Sequence, residues 1–445
     1  RWPMIAGRRW RRLIGVLTTR RGSASRGWLL IALVAVLLGA TVGACRRAAR
    51  EGPASHPRAE LLGGVAPEAL NVVLVTIDTL RADHVSCYGG SPVATPHLDR
   101  FAREGVRFDS AASTVPFTLP AHASIMTGLY PPRHGIRENV GAFLAADLPT
   151  LAELMAASGR QTAGFVSAFV LDSRWGIGRG FGRYFDDFEP AETANSNLGS
   201  VQRPGDETLA EALRWLDARD PASPFFLWLH LYDPHDPYTP PEPFASQHPG
   251  RPYRGEVAWT DSLVGELRAA LEARGLLERS LLVLTADHGE GLGDHGERFH
   301  GFFVYDTTVR VPLILRLPGG ARAGTVVGVP VSHVDLLPTI LDAVGRPGPP
   351  AAQGTSLLPA VAGGELAAGR EVYSESFYPL LHYGWAPLRA LRAERHKLIA
   401  VPRPELYDLA VDRGEQRNLA GAEPELAAGL GERLERLKRE MEEGA

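Results

Sequence analysis

From residue 70 onward the chain alternates two apolar patterns. Continuous runs rich in β-branched and aromatic residues, "NVVLVTI" (71–77), "PFFLWLHLY" (224–232), "SLLVLTA" (280–286) and "VPLILRL" (311–317), predict strands buried on both faces. "RQTAGFVSAFV" (160–170) predicts a further strand. Between them, "LPTLAELMAASG" (148–159), "ETLAEALRWLDAR" (207–219), "LVGELRAALEARG" (263–275) and "HVDLLPTILDAVG" (333–345) place apolar residues at helical spacing. Strand and helix alternate over about 280 residues, which predicts an α/β fold with a mostly parallel central sheet and helices on both faces. The tail differs. "RALRAERHKLIAVPRPELYDLAVDRGEQRNLAG" (389–421) has short alternating segments separated by turn residues, followed by a charged helix from Glu423. It predicts a small antiparallel subdomain beside the main sheet.

The N-terminal region has a third pattern. Arg8, Arg9, Arg11, Arg12, Arg20, Arg21 and Arg26 precede Trp28–Ala44, which carries no charge, and "VGAC" ends the run at Cys45. A cationic segment, an apolar segment and small residues before a cysteine resemble a bacterial lipoprotein signal. On that reading Cys45 is lipidated and becomes the mature N-terminus; an uncleaved signal anchor is the alternative. Arg46, where an acid would favour inner-membrane retention, points weakly to the outer membrane. The expected organisation is an export signal at 1–45, a tether at 46–67, a catalytic α/β domain at 68–370 and a C-terminal subdomain at 371–445. The expected location is the cell envelope, periplasmic or extracellular.

Composition sharpens this reading. Of 47 basic residues, eleven arginines lie in residues 1–50, leaving 36 against 51 acidic side chains in the remainder. An acidic body argues against nucleic acid as a partner. The other cysteine, Cys87, has no intrachain disulfide partner once Cys45 is lipidated.

Two predicted strands end in acids: Asp78 after 71–77, and Asp287-His288 after 280–286. In a parallel sheet, ligands bind at the carboxyl ends of the strands. Two carboxylates and an imidazole at one sheet edge suit a divalent cation. Taken singly, each is also an ordinary helix cap or turn residue.

The pieces "NVVLVTIDTLRADHVSCYG", "MTGLYPPRHGI", "TADHGEGLGDHGERFHG" with "RVPLILR", and "ELYDLAVDRGEQRNLAG" occur in this order over residues 71–420. Together they resemble the sulfatase family of the alkaline-phosphatase superfamily, whose members hydrolyse sulfate and phosphate esters. The family's nucleophile lies ten residues before the glycine of a "TG" pair, which here is Gly128, and so falls on Thr118. True sulfatases carry Cys or Ser there within C/S-x-P-x-R, oxidised to formylglycine, whereas this chain has "TLPAH", Thr118 to His122. The family's "GKWHLG" segment is absent, and the lysine expected after "HG" is replaced by His300. The acid expected after Asp78 is Thr79.

The resemblance implies a cation held by Asp78, Asp287, His288 and the Thr118 hydroxyl. With fewer carboxylates, Mn²⁺ or Zn²⁺ is expected over the family's usual Ca²⁺. It also implies Thr118 as nucleophile, with His235, His300 and His122 assisting. Asp233, His295 and His300 are candidates for a second metal site, while Arg133 and His134 are expected to buttress the loop. The expected substrate is a small-molecule, glycan or lipid ester, with phosphate or phosphonate favoured. The alternatives are sulfate-ester hydrolysis, a phosphoethanolamine- or phosphoglycerol-type transferase, and an inactive binding scaffold.

Overall fold

A computed structural model describes residues 58–188, 201–367 and 369–443. The export signal, Cys45 and most of the expected tether lie outside the described residues. The tether's last part is corrected: Arg58–Leu61 is helical, and Leu61 and Leu62 are buried in the main core. Two adjacent leucines gain more by burial than a solvated linker does, roughly 1.5–3 kcal/mol each. Arg58 adds an ion pair to Asp342 at 2.5 Å. No helix among the described residues is long and apolar enough to cross a membrane.

The central sheet has eight strands. In chain order they are β1 (Asn71–Ile77), β2 (Val106–Phe108), β4 (Gln161–Phe165), β5 (Arg183–Phe185), β6 (Phe225–Leu231), β7 (Ser280–Ala286), β9 (Leu313–Arg316) and β10 (Thr325–Val327), arranged 10-2-9-7-1-6-4-5. Short strands β3 (Ala111–Ala112), β8 (Arg310–Val311) and β11 (Val331–Ser332) form a second sheet. β12 (Glu371–Ser376), β13 (Leu388–Ala393), β14 (His396–Ala400) and β15 (Glu405–Asp408) form the antiparallel C-terminal sheet. In the central sheet only β9 runs antiparallel to its neighbours.

β1 lies between β6 and β7, parallel to both, and all seven of its residues are buried. Its unbroken apolar run is what a strand covered on both faces requires. The register pairs Ile77 with Ala286 and with Leu231. The next residues along β1 and β7, Asp78 and Asp287, therefore emerge side by side at the carboxyl edge.

The predicted helices are present, with local differences. Leu151–Ala157 opens on a capping box, the Thr150 side chain accepting from Glu153 N–H while the Glu153 carboxylate accepts from Thr150 N–H. The helix expected from Leu263 begins at Pro252 and spans 22 residues. The strand expected through Val170 stops at Phe165. Beyond it, Ser167 turns its hydroxyl to the His230 carbonyl at 3.0 Å, and Phe169–Leu171 forms a 3₁₀ turn. The C-terminal sheet and the helix Pro424–Glu443 share a core that includes Tyr373, Leu391, Leu430 and Leu434.

Candidate active site

The site is built on the carboxyl ends of β1, β6 and β7 and on one helix, Thr118–Thr127, whose ten residues are all buried. Gly128 ends that helix in the left-handed region at φ 69°, where a Cβ would press on Val334 O and Leu337 Cβ at 3.4 Å. Thr118 is the first helical residue, so its hydroxyl sits at the positive end of the helix, an effect worth about 0.3–1 kcal/mol toward developing negative charge. The Leu119 N–H donates to Asn139 Oδ1 at 2.9 Å, and Pro120 has no N–H.

His288 is oriented by its own turn. Its Nδ1–H donates to the Gly289 carbonyl at 2.9 Å, leaving Nε2 as the free lone pair. That nitrogen lies 3.5 Å from Thr118 Oγ1, 3.6 Å from Asp287 Oδ2 and 3.8 Å from Asp78 Oδ1. Asp78 Oδ1 and Asp287 Oδ2 are buried with no hydrogen-bond partner. Burial pushes both carboxyls above the usual range; Asp287 reaches about 6, with Asp78 repelling it as the next cause. Asp287 Oδ1 is satisfied by the N–H groups of His288 at 2.7 Å and Thr79 at 3.3 Å.

Two unpartnered carboxylate oxygens facing one imidazole lone pair form a site short of positive charge, since an unmet buried polar group costs about 1–3 kcal/mol and a charged one more. A divalent cation would supply what is missing. The residues present fit one, with Asp78, Asp287 and His288 as ligands and Thr118 Oγ1 adjoining.

Thr79, standing where the resemblance expects an acid, does not turn toward this point. Its hydroxyl donates to the Pro234 carbonyl at 2.7 Å, and its own carbonyl accepts from Tyr253 OH at 2.7 Å. These bonds hold the residue at φ 51°, a left-handed conformation that a β-branched side chain adopts at a cost of about 1–3 kcal/mol.

His122 is a structural link. Trp228 Nε1–H donates to Thr76 Oγ1 at 2.9 Å, and Thr76 Oγ1 lies 2.9 Å from His122 Nε2. His122 Nδ1 reaches the Thr118 carbonyl at 2.8 Å. Burial lowers its imidazolium pKa to about 3, so the ring is neutral and both nitrogens are occupied. It fixes the backbone of Thr118. His134 is likewise buried against Ser124 Oγ at 3.0 Å, while Arg133 is half-buried.

His235 and His300 lie together above the cluster, ring centroids 5.1 Å apart, with His300 4.4 Å from His288. His235 Nδ1–H donates to the Asp236 carbonyl at 2.6 Å while its ring stacks on Tyr232 at 4.2 Å. Burial holds its pKa near 4.

The proposed second metal site is not assembled. Asp233 Oδ1 accepts from Gly205 N–H at 3.0 Å and Trp259 Nε1–H at 3.1 Å. His295 stacks on Tyr305 at 3.7 Å and contacts the Gly414 carbonyl at 3.1 Å. His300 faces Glu290, its Nδ1 3.2 Å from Oε1. Asp233 follows β6 while His295 and His300 lie in the connection after β7, and each is held by its own partners.

Two residues of the site were not read from the sequence. His230, inside β6, brings Nε2 to 3.3 Å from Asp78 Oδ2. It also belongs, with His122 and Asp287, to a second group of potential ligands around the same carboxylates. A histidine inside an otherwise apolar strand beside β1 was the available signal. Glu290 is fully buried beneath His300 and also accepts from Tyr238 OH at 2.8 Å. An acid directly after "DHG" was its signal.

Comparison with known proteins agrees with this geometry. A family model described as "Sulfatase" matches residues 70–346, and "N-sulphoglucosamine sulphohydrolase, C-terminal" matches residues 293–440. The chain is 28% identical to steryl-sulfatase of Mus musculus over 441 residues, covering 74% of this chain and 70% of the relative. Among solved structures, phosphonate monoester hydrolase of Agrobacterium radiobacter superimposes with a TM-score of 0.71 at 24% identity, covering 84% of this chain and 96% of that one. Phosphonate monoester hydrolase from Silicibacter pomeroyi gives 0.68 at 25%, covering 83% and 95%. The fold, the edge on which the ligand-capable side chains gather and the family match agree: this chain belongs to the sulfatase family and is an ester hydrolase.

Proposed function

We propose that the protein hydrolyses phosphate or phosphonate esters through a covalent intermediate on Thr118. The observation that carries this reading is the residue itself: a single secondary hydroxyl, buried at a helix N-terminus, 3.5 Å from His288 Nε2. A formylglycine hydrate releases sulfate by collapsing to an aldehyde with its second hydroxyl. Threonine has no second hydroxyl, so water must break its intermediate by attacking the central atom. Phosphorus accepts that in-line displacement readily. The two phosphonate monoester hydrolase structures support the same choice.

Asp78, Asp287 and His288 would hold a divalent cation, which when bound lowers the pKa of a neighbouring hydroxyl and offsets developing charge. With imidazole well represented near the carboxylates, Mn²⁺ or Zn²⁺ is favoured over Ca²⁺. Thr118 Oγ1 forms the bond to phosphorus while the bond to the ester oxygen breaks. His235 and His300 have their Nδ1 hydrogens tied to Asp236 and Glu290, so each presents Nε2 as a proton acceptor. The proton leaving Thr118 passes to the departing alcohol. Water then attacks phosphorus, one of its protons restores the Thr118 hydroxyl, and phosphate or the corresponding phosphonate leaves.

Sulfate-ester hydrolysis is the second reading, favoured by the steryl-sulfatase relative. Assay of aryl sulfate, phosphate monoester, diester and phosphonate with added Mn²⁺, Zn²⁺ or Ca²⁺ separates the two. Phosphoester turnover that falls on the order of 10³-fold or more in Thr118→Ala is expected. Turnover of sulfate alone, or turnover unaffected by the substitution, refutes the Thr118 phosphoesterase.

A further inference from the structure

The surface beside Thr118 is aromatic. Phe117, the preceding residue, is half-buried, its ring 6.3 Å from His300 and 5.7 Å from Tyr378. Contacts continue from Tyr378 to Phe302 at 6.3 Å and Tyr383 at 6.1 Å, and both of these reach Trp385, at 5.7 and 5.3 Å. Tyr383 and Trp385 are 55% and 58% exposed. The rings therefore form a continuous wall from the nucleophile's neighbour into solvent.

The backbone holds this wall in place. Tyr378–Tyr383 is a short helix with Pro379 in its first turn. Gly384, at φ 67°, turns the chain so that its N–H reaches the Leu380 carbonyl at 3.0 Å and Trp385 N–H reaches the Pro379 carbonyl at 3.1 Å. At the other end Gly301 leaves room for Phe117, where a Cβ would lie 2.5 Å from the ring. A rigid exposed aromatic patch that runs inward to Phe117, the residue next to the buried Thr118, and to His300 has the character of a ligand surface.

The bordering polar groups narrow the ligand. Glu138 is paired with His382 at 2.6 Å, Arg137 with Glu375 at 2.7 Å, and Asn139 Oδ1 is taken by the Leu119 N–H. A sugar needs several free hydrogen-bonding groups at the ring edges, and these pairings tie up one atom of each bordering side chain. A planar apolar group needs only the ring faces.

We propose that Phe117, Tyr378, Tyr383 and Trp385 form the leaving-group subsite, and that the preferred substrates are esters of planar apolar alcohols, aryl or fused-ring. This rests on Thr118 being the nucleophile. The test compares 1-naphthyl and methyl esters of the acid the enzyme turns over, in wild type, Tyr383→Ala, Trp385→Ala and Trp385→Phe. The naphthyl-to-methyl ratio of kcat/KM should fall about tenfold or more in the alanine variants, through KM, and recover in Trp385→Phe. An unchanged ratio overturns the subsite. So does a KM rise confined to a sugar phosphate, or loss of binding to phosphatidylcholine vesicles with KM unchanged, which would make the patch a membrane contact. Calorimetry with 1-naphthyl phosphonate on Thr118→Ala gives a readout independent of turnover. Binding weakened tenfold by adding Trp385→Ala supports the subsite even where the role of Thr118 fails, and equal binding refutes it.

Discussion

The described structure holds two buried charge clusters built on opposite plans. One joins the C-terminal sheet to the body: Lys397 Nζ lies 2.9 Å from Asp306 Oδ1 and 2.8 Å from Glu415 Oε1, and Arg392 also binds Asp306. Glu415 Oε2 accepts the Asp306 N–H at 2.5 Å. Two cations face two carboxylates. Burial works against the charge on Asp306, but Arg392 and Lys397 overcome it and hold the carboxyl below its usual range. The other cluster is Asp78, Asp287 and His288, where two carboxylates face only imidazoles and keep unpartnered oxygens. For a similar degree of burial Asp306 is held down by its cations while Asp78 and Asp287, which face none, are pushed up; within the first cluster burial also pushes Glu415, which shares Lys397 with Asp306, up to about 7. A balanced cluster holds a fold together; an unbalanced one is completed by a ligand.

The largest effects should separate the two clusters by what is lost. Asp287→Asn removes a ligand and should lower kcat/KM on the order of 10³-fold, while metal-free stability stays level or rises, because an uncompensated buried charge is gone. Lys397→Met should do the reverse. It leaves Asp306 and Glu415 sharing one cation and should cost about 3–5 kcal/mol of stability, while the protein that remains folded keeps its kcat. Urea unfolding and kinetics on both variants decide the matter. Equal stability losses would mean that the active cluster is structural too.

A pH series sharpens the contrast further. In chelated protein the Asp287 carboxyl titrates near 6, against about 3.9 in an unfolded chain, so the fold binds a proton that the unfolded state releases. Its contribution is full below pH 4 and is lost as pH rises through 6, a decline of about 3 kcal/mol. A bound cation replaces that proton. The Tm gap between metal-loaded and chelated samples should widen from pH 4 to pH 7; a constant gap would place the cation elsewhere.

Much of this arrangement was legible because its residues sit where periodicity ends. Asp78 and Asp287-His288 follow apolar runs directly, so strand prediction also brought these candidate ligands to one edge, and the parallel register did the rest. His230 was hidden by the opposite circumstance: it lies inside "FFLWLHL", where apolar neighbours masked the one polar residue facing Asp78. Asp233 and His295 were grouped wrongly because loop positions depend on distant contacts. His295 sits at φ 53° against Tyr305, a conformation that no local pattern announces. The aromatic segment 377–385 carried no motif at all. Its meaning comes from Phe117 and Phe302, distant in sequence and adjacent in space.

Glu290 tests the comparison at its margin. It is a buried carboxylate whose partners are neutral donors, Tyr238 OH at 2.8 Å, the Gly291 N–H at 3.3 Å and His300 Nδ1 at 3.2 Å. Burial pushes its carboxyl up and the Tyr238 bond pulls it down. By accepting the Nδ1 hydrogen it keeps the Nε2 lone pair of His300 on the side of His288. Glu290→Gln preserves the shape but allows the amide to donate, which would move the hydrogen to Nε2 and remove the acceptor. The expected loss is about tenfold in kcat with little change in KM, as for other groups that orient a reacting imidazole. The acidic limb of the pH–rate profile should move with it, whereas a loss of packing alone would lower the rate at every pH equally. An unmoved limb would assign Glu290 to the balanced, structural kind of charge.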